Sequence, residues 1–403
     1  MSNILPRRQF LSGAAKGAVA LSAASYSRVL GANDKIILGV IGCGDRGQYD
    51  MAFFQQTPEV EVAALCDIYG ARTEETRQQA PRAKTFTDYR KLLEMAELNA
   101  VVIATPDHWH AQCAIDALNA GKDVYVEKPL TLTIEEGPRV VKAARINGRV
   151  CQAGMQQRSG KHYLQVKQEY MDTGRLGKVT LVRTWWHGNG YHLRRAPASL
   201  AQKPADLDWA AFLGPLKWRD WDPQQYFNWR AFLDFGGGQV TDLFTHWVDV
   251  VHMFLGIDIP SAAVASGGVY AYKDGRTAPD TIFVLLQYPS EVTVTFEATL
   301  APGLQGAGIE FCGTKGRLAI GREHYEFLAV GAEEPVRVEV SRKHDMTIEH
   351  IAKFLECMRS RKLPNGDVLA GHRSAQASHL GNLAYMQKRR IDFDPLREEI
   401  LPL

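Results

Sequence analysis

The chain has 403 residues, 45% of them apolar and 23% charged, with 47 Lys plus Arg against 45 Asp plus Glu. This is globular composition with length for two cores, and a net charge of +2 lacks the cationic surplus that neutralises nucleic-acid phosphates, which excludes a nucleic-acid partner. No uncharged apolar run is long enough to cross a bilayer as a helix, and the six cysteines show neither Cys-x-x-Cys nor zinc-like spacing, so buried free thiols are expected.

The first stretch, residues 1–32, holds Arg7, Arg8, Lys16 and Arg28 and no acid, which leaves 43 bases against 45 acids in the rest of the chain. Paired arginines followed by Gln9-Phe10-Leu11 and an Ala/Gly/Ser-rich run over 13–25 resemble a twin-arginine export signal. The alternative is a plain basic tail. Small residues flank possible cuts after Ala24 and Ala32, and the expectation is a periplasmic or otherwise exported protein without a membrane anchor.

Residues 35–41 are a continuous apolar run of strand length leading into Gly42-Cys43-Gly44-Asp45-Arg46-Gly47, a G-x-G-x-x-G turn. A helix over 48–56 and a strand over 60–66 follow, ending at Asp67. Strand, glycines, helix, strand and acid in that order form the signature of a dinucleotide site. The alternation continues with helices over 71–80 and 88–96, strand 100–105, helix 110–120, strand 123–127, helix 134–147 and strand 150–153. Strands alternating with helices predict a parallel sheet covered on both faces. Residues 33–155 therefore read as a doubly wound Rossmann domain binding NAD.

Beyond residue 176 the pattern changes to alternating β-rich runs at 179–187, 262–272, 281–289, 292–299, 308–320 and 324–330. Helical segments at 161–173 and 238–256 interrupt them, and helices over 346–361 and 373–388 close the chain. This predicts a second, α+β domain over 156–403, built on a large, mostly antiparallel open sheet that binds substrate and joins copies of the chain.

Three clusters can carry chemistry. In the glycine loop, Gly42 permits the tight turn, Gly44 lets a pyrophosphate approach the backbone, and Gly47 lets helix and strand pack. With Asp45 and Arg46 they face the phosphates at a helix N-terminus. Asp67 is placed to accept from ribose hydroxyls and to repel a 2′-phosphate, which favours NAD over NADP, although Arg72 is near enough to favour the reverse. The second cluster lies on the same sheet edge: Thr105, Pro106, Asp107, Trp109 and His110 after one strand, and Glu127 and Lys128 after the next. Lys128 is suited to stabilise a developing oxyanion; otherwise it is a solvated surface lysine. The third is Asp242 with His246, four apart on a helix, a spacing at which the carboxylate orients the imidazole for proton transfer. Asp249 and His252 extend that stripe, so a satisfied polar core face or a metal site stays open, although no closed ligand set is visible and no metal is expected. His187, His192, Trp185, Trp186, Trp221 and Trp229 either line a sugar pocket or belong to the core.

Together these residues resemble the glucose-fructose oxidoreductase, inositol dehydrogenase and MocA (Gfo/Idh/MocA) family from about residue 35 to 395. The likeness is carried by the Gly42–Gly47 loop, Ala104-Thr105-Pro106 with His110, Gly121-Lys122 leading to Glu127-Lys128-Pro129, Asp242 with His246, and Gly371-His372-Arg373-Ser374-Ala375. The resemblance implies a nicotinamide cofactor and a homo-oligomer formed through the C-terminal sheet. It implies Lys128, Asp242 and His246 as catalytic, and Gln156 at the nicotinamide end. The implied activity is oxidation of a sugar, cyclitol or glycoside. The loop Asp107-His108-Trp109-His110 resembles the Trp-Lys-Trp-His loop of NAD-dependent glycosidases of glycoside hydrolase family 109, while the 236–246 segment is similar to dehydrogenase-type members. A non-catalytic sugar or nucleotide sensor is the reading of another class. Export adds a constraint: free NAD is scarce outside the cytoplasm, so a tightly held cofactor in a closed redox cycle is expected.

Overall fold

The computed structural model describes residues 35–303, 306–340 and 345–402; the twin-arginine stretch lies outside them. The N-terminal half alternates β1 (Ile36–Ile41), α1 (Asp45–Phe54), β2 (Val60–Cys66), α2 (Gly70–Arg77), β3 (Lys84–Phe86), α3 (Tyr89–Leu93), β4 (Ala100–Ile103), α4 (Asp107–Asn119), β5 (Asp123–Val126), α5 (Glu136–Ile146) and β6 (Cys151–Ala153). The strands pair in parallel in the order β3-β2-β1-β4-β5-β6. The order reverses between β1 and β4, and the crevice outside the carboxyl ends of these strands is where such sheets bind ligands. β1, β4 and β5 are almost wholly buried, as a sheet covered on both faces requires.

Helix α1 begins at Asp45, three residues before the sequence pattern places it, so the glycine turn runs directly into its first exposed amides. α4 likewise starts at Asp107, because Pro106 stands at its N-cap and supplies the extended conformation that opens a helix.

The second half contains α6 (Lys161–Val166), β7 (Val179–His187), α7 (Trp209–Leu213), α8 (Pro223–Phe227) and α9 (Thr245–Leu255). After these come β8 (Ala262–Gly268), β9 (Thr281–Tyr288), β10 (Val292–Thr299), β11 (Ala307–Gly313), β12 (Gly316–Ile320), β13 (His324–Ala329) and β14 (Val336–Glu339). α10 (Met346–Ser360), α11 (Val368–Gln387), β15 (Ile391–Asp394) and β16 (Glu399–Ile400) end the chain. Among the described residues the sheet has ten strands, ordered β14-β13-β12-β11-β7-β10-β9-β8-β15-β16, and all its pairings but β7 with β10 are antiparallel. Strict alternation along β10, with Val292, Val294, Phe296 and Ala298 buried, turns one face onto α9 and α11. The opposite face leaves Val264 and Phe283 exposed.

Between β7 and α9 the chain leaves the sheet for residues 188–235. This segment has its own small core of Leu200, Leu207, Trp209, Phe212, Leu213, Tyr226, Phe232 and Phe235, with Trp209 stacked on Phe212 at 5.0 Å between ring centroids. It lies against the carboxyl edge of the parallel sheet, where Tyr69 pairs with Leu207.

All six cysteines are free thiols and five are buried. The polar stripe on α9 is turned inward: Asp249 accepts from Arg158 at 2.6 Å and from Ser374 at 2.9 Å, and His252 Nε2 bonds the Tyr288 hydroxyl at 2.7 Å.

Candidate active site

A cavity of about 990 Å³ runs along the carboxyl edge of the parallel sheet, walled on its other side by the second half of the chain. Gly42, Gly44, Asp45, Arg46, Asp67, Thr105, Pro106, Asp107, Trp109, His110, Glu127, Lys128, Gln156, Asp242 and His246 all line it. Gly47 sits behind the loop. The two remote sequence segments around Lys128 and Asp242 thus meet in one place.

The glycines have separate duties. Gly42 has φ +93° and a Cβ there would lie 2.6 Å from the Ala104 carbonyl oxygen, while a Cβ on Gly47 would lie 1.9 Å from the Gly42 carbonyl oxygen. Both are fixed by the protein's own packing. A Cβ on Gly44 would meet nothing closer than the Arg72 guanidinium at 3.6 Å, so its bareness serves the open cavity. Thr105 Oγ1 is buried there without a hydrogen-bond partner. An open glycine, an unpartnered hydroxyl and the free amides of α1 fit the phosphates and ribose of a dinucleotide.

Asp67 holds the turn: Cys43 N–H donates to one carboxylate oxygen at 2.8 Å and Tyr69 N–H to the other at 2.9 Å. Burial pushes its carboxyl above the usual range, against the pull of Arg72 and these amides. Arg72 lies over the Tyr226 ring, 5.0 Å from its centroid.

At the other end Lys128 Nζ donates to Asp242 Oδ1 at 2.5 Å and to the Asp242 carbonyl at 2.8 Å. Asp242 Oδ2 bonds His192 Nε2 at 2.8 Å, and Arg230 approaches Oδ1 at 3.4 Å. Although burial alone would raise it, the charges of Lys128 and Arg230 and the His192 bond hold the Asp242 carboxyl well below its ordinary value. The expected contact between Asp242 and His246 is replaced by the one with His192. The helix passes through a π turn at Val240–Phe244, and its wider winding takes four-residue neighbours off a common line. His246 still faces the cavity, with its Nδ1 buried and unpartnered. Burial, then the charges of Lys128 and Arg322, drive its pKa far below that of a free imidazole, so it is neutral.

Arg46 and Glu127 form a salt bridge at 2.8 Å, Arg46 also holds Asp50 at 2.8 Å, and Gln156 donates to Glu127 at 2.8 Å. These side chains therefore brace one another beneath the loop. The His110 ring sits between the carbonyls of Pro129 at 2.6 Å and Thr105 at 2.8 Å, tying the two loops together. Asp107 is 4% exposed, and burial pushes its carboxyl up to about 7, with Arg230 and Lys128 pulling against and Asp242 adding. Of the aromatic candidates, Trp186 and Trp229 line the cavity. Trp221 packs into the 188–235 core, and His187 lies on the exposed sheet face.

A glycine turn opening a helix and an acid ending the next strand lie at one end of this cavity, and a lysine, a carboxylate and a neutral imidazole lie at the other. Residues 36–155 match the NAD-binding Rossmann domain of the Gfo/Idh/MocA oxidoreductase family, and 215–366 match that family's C-terminal alpha/beta domain. The chain belongs to this family. It is 35% identical over 162 residues to the inositol 2-dehydrogenase of Salmonella paratyphi B, a match covering 40% of this chain and 47% of that protein, so it spans about half the length of such relatives. It is 34% identical over 123 residues to the alpha-N-acetylgalactosaminidase of Shewanella oneidensis, covering 28% of this chain and 27% of that one. The fold is shared with levoglucosan dehydrogenase, solved with NADH and levoglucosan, at a TM-score of 0.69 and 18% identity over 89% of this chain and 99% of the other.

Proposed function

We propose that this protein is an NAD-dependent oxidoreductase acting on a sugar, cyclitol or glycoside. The observation that carries this reading is the charge arrangement around Asp242, which holds one lysine beside one neutral histidine in the cavity that contains the glycine loop. NAD supplies the hydride acceptor when bound. The loop Gly42–Gly47, Asp67 and Thr105 would hold it at one end, and Lys128 and Gln156 would stand near its nicotinamide.

Lys128 has three N–H groups and gives two to Asp242, which leaves one for a substrate oxygen. That donor favours the alkoxide-like oxygen that develops as the carbon is oxidised. His246, which is neutral and lines the cavity, takes the hydroxyl proton. Asp242 remains ionised and keeps Lys128 and His192 in place, so it acts by positioning. Trp186 and Trp229 offer flat apolar faces of the kind sugar rings pack on.

A second reading, hydrolysis of a glycoside by oxidation, elimination, hydration and reduction, is favoured by Asp107. It adds a buried acid that titrates near neutrality, and elimination needs a second proton donor. Incubation with a panel of sugars, cyclitols and aryl glycosides separates the readings by product mass: a ketone or lactone signifies oxidation, a freed aglycone hydrolysis. A panel with no turnover at all would contradict both and leave a sugar or nucleotide sensor.

The twin-arginine pair supports export, which predicts periplasmic fractionation that is abolished by replacing Arg7 and Arg8 with Lys. Val264 and Phe283, 40% and 43% exposed on adjoining strands β8 and β9, support a homo-oligomer through the open sheet. Light scattering should then show more than one chain per particle and a monomer for Phe283→Glu.

A further inference from the structure

Several arginines line the cavity, and the protein neutralises most of them itself. Arg46 pairs with Asp50 and Glu127, Arg90 with Asp88, Arg194 with Asp45, and Arg230 with Asp242. Arg72, at the ribose end, has the charges of Asp67 and Asp45 near it. Arg322, in the turn between β12 and β13, is different: among the described residues none accepts a hydrogen bond from its guanidinium. Its Cζ lies 4.7 Å from the centroid of the Trp186 ring, and that ring is 6.3 Å from the His246 ring with 32° between their planes. Arg322 is thus one indole away from His246, and its charge is among those that depress the imidazole. A guanidinium held over an indole is attracted through the ring's face and keeps its fork of N–H donors for another partner. Asp345 is near enough to attract it, but that carboxylate accepts from the Tyr49 hydroxyl and, at 2.8 Å, from Thr347 N–H at the start of α10. Neither Asp345 nor the adjacent Glu323 pairs with the guanidinium.

We propose that Arg322 binds a carboxylate carried by the substrate, so that the preferred substrate is a sugar acid, anchored at Arg322 while one of its hydroxyls reaches Lys128 and His246. This rests on the reading of the same site as a nicotinamide oxidoreductase. The side chain opens to the cavity, while the protein crowded around the rest of it pulls its pKa below the ordinary arginine value, against the attraction of Tyr163 and Asp345. It is therefore a cation partly stripped of water with no counter-charge in contact, a state that an anionic ligand relieves. A carboxylate presents two oxygens in one plane and matches the guanidinium fork. Charge balance favours it over a phosphate. Lys128 and Arg230 are held by Asp242, and Arg46 by Asp50 and Glu127, which leaves Arg322 for a single negative charge. A phosphate carries about two at neutral pH and would place the excess beside Asp345. The carboxylate is chemically unchanged by the oxidation and serves to place the carbinol.

The test compares matched compounds on the NAD-loaded protein: hexuronates, their parent hexoses, the uronate methyl esters and the hexose 6-phosphates. Reduced-nicotinamide fluorescence reads turnover and tryptophan fluorescence reads binding. The expected result is at least one hexuronate whose kcat/KM is roughly 10–100-fold above those of its parent hexose and its methyl ester, the effect of one charged hydrogen-bonded pair. Arg322→Gln should bring acid and parent to within about threefold of each other, through a raised KM for the acid. Arg322→Lys, which keeps a charge without the fork, should recover part of the gap. Melting curves first show both variants folded, and a ratio between two substrates of one variant is insensitive to partial loss of folded protein. If either variant does not fold, the ratio of acid to ester in the unaltered protein decides. A neutral hexose or methyl ester oxidised as well as the acid, or a preference for the 6-phosphates, would overturn the proposal and leave the oxidoreductase reading intact. A hexuronate that binds through Arg322 with no nicotinamide reduction would support the anion site and remove the oxidoreductase reading. Absence of binding by every hexuronate would also overturn the proposal.

Discussion

The two ends of the cavity are built from different materials. At the glycine loop the protein contributes mainly backbone: bare Gly44, the amides of α1, and a turn locked by Asp67. At the other end it contributes side chains, with Lys128, His192 and Arg230 converging on Asp242 and with His246 Nδ1 left unpartnered. The first arrangement suits a ligand common to many proteins, whose phosphates need amides in fixed places. The second suits chemistry on a single bond, where one donor and one base must be placed and their charge states held. Binding and catalysis should therefore fail separately when the two ends are altered.

The largest separation is expected at the side-chain end. Lys128→Ala or His246→Ala should lower kcat by about 10²–10⁴-fold, with NAD binding retained as read by titration of bound nucleotide. Equal loss of binding and turnover would break the distinction. At the backbone end Gly47→Ala would force its Cβ against the Gly42 carbonyl, 1.9 Å away, and should destabilise the fold by several kcal/mol, on the order of 4 or more. Gly44→Ala, whose Cβ meets only open space and a flexible arginine, should shift stability by no more than about 0.5 kcal/mol yet weaken NAD binding. Paired melting curves and nucleotide titrations on the two variants check this.

A smaller effect concerns pH. Between the ordinary carboxyl range and about 7, folded Asp107 keeps a proton that the unfolded chain has released, so stability falls as pH rises across that window. The slope from this group is at most about 1.4 kcal/mol per pH unit. Asp107→Asn should flatten it in denaturant titrations at several pH values, and an unchanged slope would place the titration elsewhere.

The alternation of strands and helices in the first half was legible in the sequence because most of its strands are largely apolar runs and most of its turns carry a glycine or proline. The long strands of the second sheet were legible because their apolar residues alternate. Short strands such as β3 and β14 were not: β3 has three residues and β14, Val-Arg-Val-Glu, has four, all exposed, too few for an alternation to stand out. The segment 188–235 escaped for a different reason. Its helices α7 and α8 have five residues each, too short for a 3.6-residue period, and its core depends on aromatic residues spread between Leu200 and Phe235. Of the site, the glycine loop, Lys128, Asp242 and His246 were readable as motifs. The partner of Asp242 was not, since His192 is fifty positions away and reaches it only through the fold; its sole signal was its place after an aromatic strand end. The π turn that redirects His246 also has no mark in local composition.

We propose that a carbohydrate carbon gives its hydride to a nicotinamide held in this cavity, while Lys128 steadies the oxygen and His246 takes the hydroxyl proton. The most direct measurement is the fluorescence of reduced nicotinamide when the NAD-loaded protein is mixed with sugars, cyclitols and glycosides in turn, alongside His246→Ala and Lys128→Ala loaded with NAD to the same extent. The account predicts a signal with at least one carbohydrate in the unaltered protein and its loss in both variants. A signal of equal rate in the variants, or none with any carbohydrate while NAD remains bound, would contradict it.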